Sequence, residues 1–359
     1  GKTSLKELLG QSLNKIYNTS FSQKSFNNKY GVPISLFNIK KSNRFGVFEI
    51  GMDKKGEIFN LSKIVKPEIG VITNVAEAHF KNFSTLKDIA KAKGEIIDNI
   101  VDKGNIILNK DNKFFNYLAK RAIKKKINII SFSLKKKADI YLLSTKKIRN
   151  FYRLKVVINN KFFYFDISNN TTSLVNNILA CISVLYVLNL DLDVMKNKFI
   201  KFEIPSGRGD IKVIKKFKKR FKFIDESYNA NPMSMLSAIK NMSYYEREKD
   251  AQKIVFLGDM LELGKKSKSF HRSLSNEINR SDIDKVFVYG KDIRITYNML
   301  SRRKKGKIFN NLKEAHNHFA KIVHNNDLLM VKGSNATGLN QFSKNIKKGQ
   351  INAIWVFNF

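Results

Sequence analysis

The first residues of the chain have the types and spacing of a phosphate-binding loop. Gly1-Lys2-Thr3-Ser4 leads directly into an amphipathic stretch from Leu5 to Ile16, as the second half of a G-x-x-x-x-G-K-[ST] loop does. Backbone N–H groups at such a helix start bind phosphates, the lysine neutralises the outer phosphates, and the threonine hydroxyl can bind Mg²⁺. So short a string is weak evidence by itself. Because the chain starts midway through the loop, we expect the front of the loop and the residues before it to be missing.

Two further candidate residues lie at the ends of apolar runs that suit buried strands. Glu49 lies within the run 47–50, and His79 follows the run 69–72. The carboxyl ends of parallel strands are where open α/β sheets place metal and ligand groups. Each residue also has a plainer interpretation, Glu49 as an acid at a loop entry and His79 as an ordinary loop histidine.

Lys93 lies on the apolar face of a predicted helix. It comes four residues after Ile89 and four before Ile97 within the stretch 86–100, whose apolar residues fall on one helical face. A lysine in such a place usually extends its ammonium into solvent and buries only its stem. A partly buried lysine with a lowered pKa can instead serve chemistry.

Two polar runs follow predicted strands and have compositions that favour a function. They are Asp225-Glu226-Ser227-Tyr228-Asn229-Ala230-Asn231-Pro232 and Leu257-Gly258-Asp259-Met260-Leu261-Glu262-Leu263-Gly264. Asparagine and aspartate suit a turn, and Pro232 suits the first turn of a helix. The first run can therefore also be interpreted as a turn and helix start with no further role.

The elements that position these residues alternate between strand and helix along the chain, which predicts an α/β fold. Predicted strands are 47–50, 69–72, 106–108, 127–130, 221–224, 254–257, 286–289 and 328–331, and predicted helices include 86–100 and 174–190. Residues 140–167 predict an antiparallel hairpin that turns at Asn159-Asn160. We place a domain joint near residue 205, which predicts domains 1–205 and 206–359.

The composition limits the class of protein. With 359 residues, 43% of them hydrophobic, the chain is long enough for two cores. The net charge of +37 would suit a nucleic-acid-binding protein, but the lysines are scattered and a compositional bias toward Lys, Asn, Ile and Phe explains the charge as well. Its single cysteine, Cys181, cannot form an internal disulfide. No apolar stretch is long enough for a membrane span, so we expect a cytoplasmic protein.

Taken together, these segments resemble the Mur ligase superfamily. The markers are Gly1-Lys2-Thr3, Glu49-x-Gly51, Asn74-Val75-x-x-Ala78-His79, Ala92-Lys93-Gly94-Glu95-Ile96, Leu108-Asn109-x-Asp111, Gly207-Arg208, the run 227–232, the run 258–264 and Val331-Lys332-Gly333-Ser334. The resemblance implies a central P-loop ATPase domain with a mostly parallel sheet, followed by a Rossmann-like C-terminal α/β domain. The runs 227–232 and 258–264 are specific to the branch that adds D-alanyl-D-alanine to UDP-MurNAc-tripeptide.

The resemblance also implies a reaction and its partners. ATP phosphorylates the free carboxylate of UDP-MurNAc-tripeptide, and the amine of D-alanyl-D-alanine attacks the acyl phosphate to form an amide. ATP and Mg²⁺ are the implied cofactors, the protein is expected to be a monomer, and no nucleic-acid partner is expected. The alternatives are another amino-acid ligase of the superfamily, such as one similar to folylpolyglutamate synthase, and a basic, non-catalytic nucleic-acid-binding protein.

The residue roles below are those that the resemblance implies. The ATP phosphates would be bound by Gly1, Lys2, Thr3 and Ser4. A first Mg²⁺ would be bound by Thr3 and Glu49, a second Mg²⁺ by His79, and Lys93 would be carbamylated into a metal ligand. Asn177 would contact adenine and Arg208 the phosphates, and the nucleotide edge of the C-terminal domain would be formed by Asp225, Tyr228, Asn229 and Asn231. Lys93, His79 and Glu49 would be the catalytic set. Some positions depart from the family pattern: Ser173 and Leu174 replace a His-Asn pair, and Glu226 replaces an aspartate. We expect the N-terminal domain that holds the UDP group in the family to lie outside this chain.

Overall fold

The structure, a computed structural model, describes residues 1–76 and 82–348. The chain divides into two compact units, the first made of residues 1–76 and 82–203 and the second of the residues from Ile204 onward. Both units combine helices with a sheet that is mostly parallel, which confirms the predicted α/β class. None of the helices in the described part of the chain is both long and apolar enough to cross a bilayer.

The first unit contains a six-stranded sheet in sequential order and a separate pair of short parallel strands. Its strands are β1 (Thr19–Phe21), β2 (Phe45–Val47), β3 (Ile69–Ile72), β4 (Asn105–Asn109), β5 (Asn128–Ser133), β6 (Ile140–Ile148), β7 (Phe151–Ile158) and β8 (Lys161–Ile167). Strands β3 to β6 are parallel, and β7 and β8 continue the sheet antiparallel.

The helices of the first unit cover this sheet. They are α1 (Lys2–Leu13), α2 (Gly31–Phe37), α3 (Glu57–Val65), α4 (Leu86–Lys93), α5 (Glu95–Asp98), α6 (Phe115–Lys124) and α7 (Thr172–Val187), with short 3₁₀ turns at Asp193–Met195 and Phe199–Lys201. The long helix α7 is apolar on most of its surface because it lies between α1 and the sheet. Cys181 is buried there, its thiol beside the Ser12 hydroxyl at 3.8 Å, and burial raises the pKa of this thiol to about 12.

The second unit is a six-stranded open sheet in the order β13-β12-β11-β14-β10-β9. Its strands are β9 (Asp210–Lys216), β10 (Lys219–Glu226), β11 (Lys253–Gly258), β12 (Lys285–Tyr289), β13 (Lys305–Phe309) and β14 (Leu328–Lys332). Its helices are α8 (Pro232–Met242), α9 (Ser267–Arg280), α10 (Ile293–Asn298), α11 (Leu312–Ile322) and α12 (Leu339–Lys347), with 3₁₀ turns at Gly264–Lys266, Arg302–Lys304 and Asn335–Thr337.

The topology of this second sheet determines where a ligand can bind. From β11 the chain continues outward to β12 and β13 and then returns to β14 on the other side of β11. The carboxyl ends of β11 and β14 therefore form a topological switch point, which in open α/β sheets is the usual ligand crevice. Along β11, Val255 and Leu257 pack into one core and Ile254 and Phe256 into the other, as expected for a strand covered on both faces.

Several boundaries differ from the sequence-based prediction. The strand predicted at 47–50 ends at Val47, so Glu49 lies in the following loop. The helix predicted at 86–100 is two helices that meet at Gly94. The predicted hairpin is three strands: the turn at Asn159-Asn160 is present, with both residues at positive φ, and a second turn follows Ile148.

Candidate functional site

The start of α1 places Thr3 against a buried carboxylate. The Thr3 hydroxyl donates a hydrogen bond to Glu49 Oε2 at 2.6 Å, and the Asn27 amide donates to Glu49 Oε1 at 2.8 Å. Thr3 is 4% exposed and Glu49 5% exposed, so both groups are shielded from bulk water. A hydroxyl and a carboxylate oxygen held this close are the hard oxygen donors that Mg²⁺ prefers.

The first turn of α1 is also suited to an anion. Its N-cap is Gly1, which has no side chain, and the turn contains no acidic residue. The partial positive charge of the helix start is therefore not offset by a carboxylate within the turn. Lys2 is exposed and Ser4 half-buried in this turn, and both lie where a phosphate would meet the backbone N–H groups.

The ammonium of Lys93 is held inside the first unit. Its Nζ donates to the backbone carbonyl of Asn74 at 2.7 Å, just beyond the carboxyl end of β3. Burial, followed by the positive charge of Lys2, lowers the pKa of Lys93 from 10.5 to about 7. Near neutral pH a large fraction of this side chain is therefore an uncharged amine, which is nucleophilic.

Asn177 lies beside the start of α1. It is 6% exposed, and its Oδ1 would be 3.3 Å from a Cβ atom built on Gly1. This location is at the phosphate end of the predicted loop, whereas the resemblance implied a contact to adenine. The adenine contact stays a prediction.

The other predicted metal ligand, His79, lies outside the described residues. Within residues 1–76 and 82–348 there is no cluster of three or more His, Cys, Asp and Glu side chains that could bind a metal ion. The predicted ligand set contains only one such residue in the described part, Glu49, together with Thr3 and a modified Lys93. The assignment of Thr3, Glu49 and a modified Lys93 as metal ligands therefore stays a prediction.

In the second unit, Arg208 stacks on Tyr228. The guanidinium lies 4.0 Å from the ring centroid, a cation–π distance. Gly207 has φ +80°, and a Cβ atom there would approach Tyr228 Cβ to 3.0 Å, so the turn requires glycine. The Tyr228 N–H donates to the Gly207 carbonyl at 3.0 Å. The Arg208 turn and the 227–232 run are thus packed against each other.

Two buried carboxylates adjoin the Arg208 turn and the 227–232 run in sequence. Asp210 and Asp225 face each other across the β9–β10 pair, and Lys347 Nζ lies 2.5 Å from Asp225 Oδ2 and 3.6 Å from Asp210 Oδ2. The other Asp225 oxygen accepts from the Ser227 hydroxyl at 2.6 Å. Burial, followed by the charge of Asp225, raises the pKa of Asp210 to about 6.

The remaining residues of the 227–232 run divide into structural and exposed groups. Asn231 is the N-cap of α8: its Oδ1 accepts from the Ser234 N–H at 2.9 Å, and Pro232 occupies the first turn. The carbonyl of Asn229 accepts from the buried Lys332 ammonium at 3.2 Å, while the Asn229 side chain is exposed. Of the predicted nucleotide contacts in this run, Asn229 is exposed and Tyr228 and Asn231 are half-buried, but the Asn231 side chain is already used in the cap of α8.

The 258–264 run lies at the switch point of the second sheet. Asp259 and Leu261 line an open cavity of about 530 Å³ whose other walls include Tyr289, Lys291 and Arg294. The run is joined to the end of β14, because Leu261 N–H donates to Ser334 Oγ at 2.9 Å.

Two residues that contact these motifs, Lys347 and His271, were not predicted from the sequence. Lys347 was missed because a lysine near a helix end is ordinarily solvated. His271 was missed because a histidine in a helix without metal-ligand spacing gives no functional signal, although its spacing from Leu274 and Ile278 puts it on the buried face of α9. That spacing was the available signal.

Two family models match the chain. The Mur ligase middle domain matches residues 1–185, and the Mur ligase glutamate ligase domain matches residues 211–335. The UDP-N-acetylmuramoyl-tripeptide–D-alanyl-D-alanine ligase of Rickettsia prowazekii is 31% identical over 95% of this chain and 75% of that protein.

Solved structures share the fold. MurF from Acinetobacter baumannii aligns with a TM-score of 0.84 at 24% identity, covering 97% of this chain and 74% of that chain. MurF ligase from Thermotoga maritima, solved in complex with ADP, aligns with a TM-score of 0.81 at 24% identity, covering 97% and 78%. Both likenesses extend over the two units.

Proposed function

Since this chain belongs to the Mur ligase family, we propose that it is an ATP-dependent ligase that joins D-alanyl-D-alanine to UDP-MurNAc-tripeptide in peptidoglycan precursor synthesis. The observation that carries the proposal is the 31% identity to a ligase of that name over 95% of the chain. The runs 227–232 and 258–264 support this branch over other ligases of the family. The use of ATP and a nucleotide-linked precursor supports a cytoplasmic location.

The reaction moves negative charge in two steps. A carboxylate oxygen of the tripeptide bonds to the γ-phosphorus as the bond to ADP breaks. The amine nitrogen of D-alanyl-D-alanine then bonds to the carbonyl carbon, phosphate leaves with the C–O electron pair, and the amine loses a proton. Positioning and electrostatic stabilisation dominate such chemistry. The start of α1 and Lys2 would stabilise the phosphates in the first step.

Mg²⁺ would be held by Thr3 and Glu49, whose oxygens are already adjacent and shielded. When bound, the ion would neutralise phosphate charge and orient the transferred group. His79 is proposed as a ligand of a second ion on the family resemblance alone. Asn27 positions the Glu49 carboxylate by its hydrogen bond to Oε1.

Lys93 is proposed to be carbamylated. An uncharged amine can attack CO₂: the N–C bond forms, one C–O π pair moves to oxygen, and the nitrogen releases a proton. The product has a negative charge and two oxygen donors in place of an ammonium. The pKa of about 7 supports this reaction near neutral pH, because an ordinary lysine would be almost fully protonated there.

The nucleotide contacts in the second unit are proposed for Arg208, Tyr228 and Asn229. Asp225 and Asn231 would act through the loop, since their side chains are bonded to Lys347 and Ser227 and to the start of α8. Asn177 is proposed to contact adenine on the family resemblance, and its place beside Gly1 puts it next to the predicted phosphate-binding loop.

The test is a ligase assay on the full-length protein. ATP, UDP-MurNAc-tripeptide and D-alanyl-D-alanine are supplied together and singly omitted, with phosphate release and product mass as readouts. We expect product only when all three are present. Product with glutamate in place of the dipeptide would reassign the protein to another branch, and salt-sensitive retention on DNA without phosphate release would overturn the ligase function.

A further inference from the structure

The 258–264 run is tied to the rest of the second unit at three successive residues. Asp259 accepts from the N–H groups of Lys291 and Ile293 at 2.9 and 2.8 Å through its carboxylate, and its carbonyl accepts from the Ser334 N–H at 3.0 Å. Leu261 N–H donates to Ser334 Oγ. The residue between them, Met260, is held by α9.

That contact is made by the fully buried His271. The Met260 N–H donates to His271 Nε2 at 3.0 Å, and His271 Nδ1 lies 2.9 Å from the Ser267 carbonyl. Since Nε2 accepts, the ring proton is on Nδ1 and is donated to that carbonyl. Ser267 Oγ in turn donates to Asp292, at the start of α10.

The energetics make this hydrogen bond important for the run. Met260 is 1% exposed and His271 0% exposed, so water cannot replace the imidazole as the acceptor for the Met260 N–H. A buried donor without a partner is costly, and the backbone would shift to find another acceptor. Such a shift would move Asp259 and Leu261, which line the 530 Å³ cavity at the switch point.

We propose that His271 is a positioning residue for the ligase reaction: through the Met260 amide it fixes the backbone of residues 258–264 and with it the wall of the cavity. The kinetic part of this inference rests on the proposed function. The structural part, that the imidazole holds the run by accepting from the Met260 N–H, does not rest on it.

The test compares two substitutions in the full-length protein. His271→Gln can place Oε1 where Nε2 lies and still accept from Met260, whereas His271→Leu fills space without an acceptor. Hydrogen exchange measured on peptides covering 258–264 should be about tenfold or more faster in His271→Leu and close to wild type in His271→Gln. Ligase kcat/KM should fall about tenfold in the Leu variant and within about threefold in the Gln variant.

Thr296→Val is the matched control. It removes the hydrogen bond from Thr296 to the His271 backbone carbonyl, 2.6 Å, and leaves the imidazole contact intact. It should lower the melting temperature without speeding exchange in 258–264. If His271→Leu does not fold, His271→Asn, whose amide is too short to reach Met260, replaces it.

Two results would overturn the inference. Unchanged exchange in the Leu and Asn variants would show that His271 does not hold the run. Faster exchange with unchanged kcat and KM would show that the run is held but that its position does not matter for ligation. If the wild-type protein has no ligase activity, the proposed function fails, while the exchange comparison still decides whether His271 fixes the run.

Discussion

Thr3 and Glu49 are 46 positions apart in the chain, yet the hydroxyl of one donates directly to the carboxylate of the other at 2.6 Å. One is in the first turn of α1 and the other follows β2, so the start of a phosphate-binding helix and a strand end are joined at this contact. Two hard oxygen donors this close together could bind one cation.

Glu49→Gln should remove the negative charge of this pair while keeping the hydrogen bond from Thr3. The amide oxygen can still accept from Thr3, but its NH₂ group would face the Asn27 amide that donates to Oε1 in the wild type, so we expect the free energy of unfolding to fall by about 1–2 kcal/mol. The ligase rate should fall roughly 100-fold and need more Mg²⁺ for half-maximal activity, because the anionic ligand is lost. The measurement is the rate as a function of Mg²⁺ concentration, with Glu57→Gln as the control. An unchanged Mg²⁺ dependence would remove Glu49 from the metal site.

Lys93→Met should stabilise the protein while abolishing its activity. Between the folded pKa of about 7 and the ordinary value of 10.5, the unfolded chain binds a proton that the folded chain does not. The wild-type free energy of unfolding therefore rises with pH through this window. Below about pH 7 the Met variant should be more stable by about 1–3 kcal/mol, and its advantage should shrink toward alkaline pH. Urea unfolding in CO₂-free buffer measures this, and Lys91→Met, at an exposed position of the same helix, should show no such pH dependence.

Lys93→Ala should lose most ligase activity and regain part of it when bicarbonate or a short-chain carboxylate is added. The cavity left by the side chain would admit a small carboxylate, which supplies the oxygen donors of the missing carbamate. The measurement is the steady-state rate against added formate, acetate or bicarbonate, with chloride at equal ionic strength as the control. Absence of rescue by all three would make Lys93 a structural residue.

Asp210→Asn should stabilise the second unit at neutral pH. The folded pKa of about 6 lies above the ordinary 3.8, so the folded state holds this proton more tightly and wild-type stability falls as pH rises from about 4 to 6. The amide keeps the acceptor for the Gly207 N–H and removes the repulsion from Asp225. We expect a gain of about 1–2 kcal/mol above pH 6 and none below about pH 4. Denaturation at both pH values decides this, and equal gains at both would contradict it.

Arg208→Lys should weaken nucleotide binding without unfolding the protein. Lysine keeps the positive charge but lacks the planar group that stacks on Tyr228 at 4.0 Å. We expect KM for ATP to rise about tenfold with little change in melting temperature. Arg280→Lys, at the end of α9, serves as the control. A KM for ATP that does not change would place Arg208 outside the nucleotide site.

The apolar runs predicted most of the central strands because strands covered on both faces are almost uniformly apolar. Residues 106–108 and 254–257 are examples, and each is fully buried. Strands β1, β9 and β13 were not predicted, since they are short or rich in lysine and resemble loops in sequence.

The site was predictable in its residue types but not in its contacts. The motif positions pointed to Thr3, Glu49 and Lys93, and the structure adds their partners. The contact between Lys347 and Asp225 has no local signal, because it joins the last described helix to a strand more than a hundred residues earlier. His271 shares a helical face with Leu274 and Ile278, but only the fold shows that its ring meets the Met260 amide.

The burial of Cys181 has a practical consequence. It is the only cysteine in the sequence, it is fully buried, and its thiol is kept protonated by its surroundings. A maleimide reagent, which is attacked by the thiolate form of a cysteine, should therefore leave the native protein unmodified. A cysteine introduced at an exposed position in each unit would provide a specific pair of dye attachment points. Both dyes could then be attached with no need to remove the native cysteine first.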